Sequence, residues 1–177
     1  MTAGFDDLAA ELEQIKQQSL YRSRRIIDSP QDIVIKMDGR HVINFSSNDY
    51  LGLANHPEVV NSFKKAVNDF GVGSGSAHLI CGHSRIHHAL EEELAEFTGR
   101  ERALLFSTGY MANIGVISAL LNRGDQVFED RLNHASLLDG GLLSGAKFKR
   151  YRHNELDDLL SKMKDTANRR LIVTDGV

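Results

Sequence analysis

Two short turns in this 177-residue sequence combine residue types that can hold and act on a ligand. Ser107-Thr108-Gly109-Tyr110 lies between an apolar stretch ending at Phe106 and a helical pattern carrying Ile114, Ile117 and Leu121. A strand-to-helix turn of that kind leaves backbone N–H groups unpaired at the positive end of the helix dipole, where a phosphate can sit. The same residue types also build an ordinary connecting turn. Asn133-His134-Ala135-Ser136 occupies the equivalent turn after the next apolar stretch. There His134 can stack on an aromatic ring or exchange a proton near neutral pH, or it can serve as a structural hydrogen-bonding residue. The run Gly71-Val72-Gly73-Ser74-Gly75-Ser76 matches neither the dinucleotide fingerprint nor a P-loop, and reads as a loop needing close backbone approach. His83 and His87 stand four apart at a helix start with His88 adjacent, but no third ligand is evident in the pattern. Helix capping and exposure are their expected roles, and no metal site is expected. Glu91-Glu92-Glu93 reads as a solvated helix face, and Cys81 as a packed small side chain with no base to activate it.

These turns must be positioned by a fold, and composition allows one. The 21 basic and 24 acidic side chains leave a net charge of −3, and 41% of residues are apolar, as in soluble globular proteins. A single cysteine excludes a disulfide framework and points to a reducing, cytoplasmic setting. The acids near the start do not fit a signal peptide, no apolar run approaches a membrane span, and the charge balance argues against nucleic acid.

Phe5, Leu8, Leu12 and Ile15 predict an opening amphipathic helix, with Arg22, Arg24 and Arg25 toward its end. Apolar segments at 33–37 and 41–45 around Asp38-Gly39 predict a β-hairpin with a type I′ turn. Pro57 opens a helix whose stripe of Val59, Val60, Phe63, Val67 and Phe70 is expected to be buried, ending at Gly71. Ile86, Leu90, Leu94 and Phe97 mark another, stopping at Gly99. Beyond it, strands predicted at 103–106, 126–129, 148–151 and 171–174 alternate with helices near 110–122, 134–144 and 155–164, with Asn154 as an N-cap. This alternation predicts an α/β fold with a mostly parallel sheet covered on both faces and ligands bound at the carboxyl ends of its strands.

Ordered blocks carry a resemblance over about residues 20–177. They are the segment from Asn44 to Leu53 (NFSSNDYLGL), Gly73-Ser74-Gly75-Ser76, Gly82-His83-Ser84, and His87 followed by Leu90-Glu91-Glu92-Glu93-Leu94. Three more follow: Ser107 to Asn113 (STGYMAN), Asp130 to Ser136 (DRLNHAS), and Arg152-His153-Asn154. Together they resemble the α-oxoamine synthases, pyridoxal 5'-phosphate enzymes of the aspartate-aminotransferase fold type. The resemblance implies residues 1–56 as an N-terminal helix and hairpin segment and 57–177 as part of the large cofactor-binding domain. Within the family the blocks favour the branch that condenses L-alanine decarboxylatively with a pimeloyl thioester, on coenzyme A or acyl carrier protein, over glycine C-acetyltransferase. A non-catalytic ligand-binding or dimerisation domain is the alternative from another class. The resemblance further implies that Gly109 and Tyr110 hold the cofactor phosphate, that His134 stacks on the pyridine ring and contacts substrate, that Arg22 binds substrate, and that the protein is a homodimer. It assigns Asn48 no chemical role. The lysine that carries the cofactor and the aspartate that pairs with its ring nitrogen are expected after Val177. None of Lys147, Lys149, Lys162 or Lys164 has the family's lysine context, so the 177-residue chain alone is expected to be inactive.

Overall fold

A computed structural model describes residues 7–176. Phe5, on the apolar face predicted for the opening helix, and Val177 lie outside them. The chain divides into two compact units, one ending at Gly73 and the other beginning at Ser74.

In the first unit, α1 spans Leu8–Gln17 and buries none of its residues; Ser19, at φ 58°, follows its end. Arg22, Arg24 and Arg25 lie in the coil beyond it rather than on the helix. The hairpin is as expected. Strands β1 (Val34–Met37) and β2 (Arg40–Ile43) pair antiparallel with Met37 opposite Arg40. Asp38 and Gly39 have φ of 48° and 78°, the two positive values a type I′ turn requires. The Asp38 carboxylate accepts the Ile26 N–H at 3.2 Å and pairs with the Arg25 guanidinium, contacts that hold its pKa below the ordinary value. Helix α2 (Pro57–Phe70) begins at its proline and ends at Gly71, at φ 77°. Its apolar stripe is not buried: Phe63 is 70% exposed. An amphipathic helix buries its stripe only against a facing surface, and the sheet of this unit is a two-stranded ribbon.

The second unit holds a three-stranded sheet of β3 (Gln126–Asp130), β4 (Lys147–Tyr151) and β5 (Arg170–Val173), ordered β4-β3-β5 and parallel throughout. Helices α3 (Arg85–Thr98), α4 (Gly109–Leu120), α5 (Ala135–Leu143) and α6 (Leu156–Lys162) complete it. Successive residues of β3 point to opposite faces, and the core divides accordingly. Val127 packs with Ile117, Leu121, Leu137 and Val173 under α4 and α5, while Phe128 packs with Tyr151 and Leu159 of α6. Both faces are therefore covered, as the strand and helix alternation predicts.

Three local expectations are corrected. Residues 103–106 are not in a ladder; the Leu105 N–H donates to the Glu91 side chain at 3.1 Å instead of to a neighbouring strand. Asn154 is not the N-cap of α6. It takes the left-handed conformation at φ 55° and donates its N–H to Asp130, leaving Glu155 at the cap position. Cys81 is exposed rather than packed.

Helices α4 and α5 meet at Gly140, where a Cβ would fall 2.9 Å from Ile117 Cδ1 and 3.2 Å from the Asn113 carbonyl oxygen. That contact fixes the two helix N-termini beside each other. Gly140→Ala should therefore cost about 1–3 kcal/mol by overpacking. Gly73→Ala, where nothing lies within 4 Å, should leave the denaturant midpoint unchanged.

Candidate active site

The carboxyl ends of three parallel strands and the N-termini of α4 and α5 bring the site together. Asn133 ties them. Its Nδ2 donates to the Val173 carbonyl at 3.0 Å and to Glu129 Oε2 at 3.2 Å, while its Oδ1 accepts the Asp175 N–H at 3.2 Å. The Asp175 carboxylate accepts the His134 N–H at 2.6 Å. The turn after β5 thus positions the turn after β3.

His134 caps α5. Its Nδ1 accepts the Ser136 N–H at 3.2 Å and lies 2.8 Å from Ser136 Oγ. Because a backbone N–H can only donate, Nδ1 is the unprotonated nitrogen of the neutral ring and Nε2 carries the proton. Ser136 is buried, and its Oγ accepts from Asn113 Nδ2 at 2.9 Å, which lets the hydroxyl donate onward to His134. Asn113 and Ser136 belong to the blocks that carry the family resemblance, but spacing alone gives no hint that α4 orients His134 through them. Asp175, too, has no motif signal; its role depends on β5 lying beside β3.

Thr108 caps α4 with its Oγ1, which accepts the Met111 N–H at 3.1 Å. The N–H groups of Gly109 and Tyr110 have no acceptor among the described residues, as expected of the first positions of a helix. Nothing lies within 4 Å of where a Gly109 Cβ would be, so the approach to these N–H groups is open. The Tyr110 ring stands edge-on to the His134 ring, with centroids 6.3 Å apart. Its hydroxyl donates to Asp139, and that bond, reinforced by burial and the nearby negative charge, raises the phenol pKa and keeps it neutral. The expected residues Gly109, Tyr110 and His134 therefore lie together. Arg22 lies in the first unit, exposed. Of its neighbours in sequence, Arg25 is committed to Asp38.

Two buried carboxyls flank the strand ends. Burial raises the pKa of Glu129, as does the charge of Asp175, against Asn133 and Arg150. For Asp130 burial also acts upward, yet donors from the N–H groups of Leu132 and Asn154 and from His153 hold it below its ordinary 3.8. Lys147 and Lys149 pair with Asp165, and Lys162 with Asp158, so these lysines serve the sheet and α6 rather than the strand ends.

A family model described as aminotransferase class I and II matches residues 40–177. The chain belongs to that family. It is 64% identical over 172 residues to the 8-amino-7-oxononanoate synthase of Methylococcus capsulatus, covering 97% of this chain and 44% of that protein. Among solved structures it is similar to a serine palmitoyltransferase from S. paucimobilis with PLP bound as a myriocin adduct. The TM-score is 0.87 at 30% identity, over 98% of this chain and 44% of that one. It is also similar to the 8-amino-7-oxononanoate synthase of Francisella tularensis, with a TM-score of 0.60 at 31% identity over 71% of this chain and 35% of that one. The chain thus spans somewhat under half the length of the curated relatives it matches. These likenesses bear out the family resemblance and the α/β fold expected from sequence. Pyridoxal phosphate is the cofactor of this family, and the residues present fit it: an open helix N-terminus with unpaired N–H groups for a phosphate, and an imidazole held at the same edge for a ring.

Replacing Asp130 by Asn should destabilise the protein at neutral pH by about 1–3 kcal/mol through loss of charge-assisted bonds to a buried acceptor. A depressed folded pKa contributes stability that is present above the ordinary value of 3.8 and lost as pH falls through the folded value. The deficit relative to wild type should therefore shrink in acid, which thermal melts across a pH series would show.

Proposed function

We propose that the complete protein carrying this sequence is an 8-amino-7-oxononanoate synthase. It condenses L-alanine with a pimeloyl thioester, releasing carbon dioxide and the free thiol. The observation that carries this reading is the juxtaposition of the open α4 N-terminus with the hydrogen-bonded ring of His134, in a chain 64% identical over 172 residues to a protein of that name. When bound, pyridoxal phosphate supplies an electron sink for the carbanion formed from the amino acid. In this reading the N–H groups of Gly109 and Tyr110 bind its phosphate. The bonds that Thr108 accepts from the Met111 and Ala112 N–H groups, together with the α4–α5 contact, keep those groups aimed.

His134 offers its face to the pyridine ring and its Nε2–H to the substrate. Ser136, itself held by Asn113, fixes the imidazole so that neither its tautomer nor its orientation must be selected during reaction, while Asp175 anchors the His134 main chain. Arg22 is the substrate-binding guanidinium, since a planar fork suits a carboxylate. The homodimeric state, the cytoplasmic location and the thioester carrier, coenzyme A or acyl carrier protein, belong to the same proposal.

The complete protein should release carbon dioxide and thiol from L-alanine and pimeloyl-coenzyme A, and far less from glycine and acetyl-coenzyme A. The reverse preference would move it to glycine C-acetyltransferase chemistry, and no turnover with either pair would remove the enzymatic reading. His134→Ala should lower kcat/KM by roughly 10²-fold, the order expected when a group that orients reactants is lost. Ser136→Ala should fall between that variant and wild type.

A further inference from the structure

The histidines before and within α3 form a cluster that the proposed reaction does not use. His83 Nε2 lies 3.4 Å from His88 Nδ1 and 4.0 Å from Glu91 Oε2, and one ligand atom from each of the three falls within 4.8 Å of the others. The pairing is not the i, i+4 pair His83 and His87 suggested by spacing. His87 turns back to accept the Ser84 N–H at 3.2 Å and caps the helix. Glu91 supplies the third ligand that spacing alone did not reveal.

We infer that His83, His88 and Glu91 form a binding site for a divalent transition-metal ion of the Zn²⁺ class. The geometry supports this on three counts. A metal bound at about 2.0–2.1 Å in tetrahedral geometry has ligand atoms about 3.3–3.5 Å apart. The two imidazole nitrogens already stand at that separation, and the Glu91 carboxylate, at 4.0 Å from His83 and within 4.8 Å of His88, needs a small side-chain movement to reach it. Two imidazoles and one carboxylate also form a recognised three-ligand set for zinc, leaving a fourth position for water.

The third count concerns the atoms facing away from the ion. Metal-binding imidazoles and carboxylates are ordinarily held by a second set of contacts through their other polar atoms. Here each ligand has one. His83 Nδ1 lies 3.1 Å from His78 Nδ1, His88 Nε2 lies 3.4 Å from Glu92 Oε1, and Glu91 Oε1 accepts the Leu105 N–H at 3.1 Å. Glu91 is accordingly not the solvated acid its place in an acidic run suggests; its side chain is only 17% exposed.

The backbone is shaped to present the pair His78 and His83. Between them a single π-helical turn, His78–Gly82, closes so tightly that a Cβ on Gly82 would lie 1.9 Å from the Ser76 carbonyl oxygen. Access is open, since His83 and His88 line a surface pocket with Ser84 and Arg85.

The test is independent of the reaction proposed above. The complete protein, stripped with EDTA, would be titrated with ZnCl₂ by calorimetry and with CoCl₂ by visible absorption. One zinc per chain should bind, and cobalt should take the intense spectrum of a low-coordinate site. His88→Ala, at an exposed position, and Glu91→Gln should each weaken zinc binding by about 10²-fold or more. Glu92→Gln, which removes only the outer contact to His88, should weaken it by about 10-fold. His41→Ala, on the hairpin, should change nothing. Equal zinc affinity in wild type and in a His83→Ala, His88→Ala double variant would overturn the site, as would a cobalt spectrum indistinguishable from the aqueous ion.

Discussion

Parallel pairing of β3 with both β4 and β5 is the constraint on which the site depends. Parallel strands share a direction, so their carboxyl ends meet at one edge and the helix that follows each strand begins there. The turn after β3 then carries His134, the turn after β5 carries Asp175, and α4 presents its N-terminus alongside. Shifting β4 by one residue would turn Phe148 and Tyr151 to the wrong faces and disturb both cores, and shifting β5 would remove Leu171 and Val173 from the core under α4 and α5.

Polar groups rather than apolar ones finish both ends of the sheet. Asp125, Asp130 and Asn133 are buried, and each accepts or donates bonds that would otherwise be lost where the ladder stops. Asp125 receives the N–H groups of Asn122 and Arg169, at 2.8 and 3.0 Å, and so joins the entrances of β3 and β5. Asn133 does the same at their exits. An orphaned buried donor costs on the order of 1–3 kcal/mol, so these contacts set where the strands end and where the turns point. Burial of this kind also tunes the carboxyls: Glu129, with its Oε1 unpartnered among the described residues, moves up, while Asp130, with several donors, moves down.

Apolar surface is distributed unevenly between the elements. The helices around the sheet bury Ile117, Leu121, Leu137 and Leu159, whereas α2 leaves Phe63 and Phe70 exposed and α3 leaves Phe97 exposed. Periodicity marks the stripe of Ile117 and Leu121 no more clearly than those of Phe63 with Phe70 and of Phe97, because it reports which residues share a helix face and not whether anything lies opposite.

Local chemistry was legible from the residues. The Asp38-Gly39 turn, the proline start and glycine stop of α2, and the alternation of strands and helices from Gln126 onward depend on backbone preferences that act over a few residues. Gly109, Tyr110 and His134 could likewise be placed at strand-to-helix turns. Other features were settled only by tertiary structure. Residues 103–106 look like a strand but have no ladder among the described residues, because pairing needs a neighbour that composition cannot supply. Asn113 reaches Ser136, and through it His134, only once α4 packs on α5, and Asp175 reaches His134 across 41 residues only once β5 lies beside β3. Glu91 meets His83 because a tight turn at Gly82 brings the loop against α3. The sequence determined which faces and turns were available; packing decided which of them meet, since hydrogen bonds and metal ligands act over a few ångströms regardless of distance along the chain.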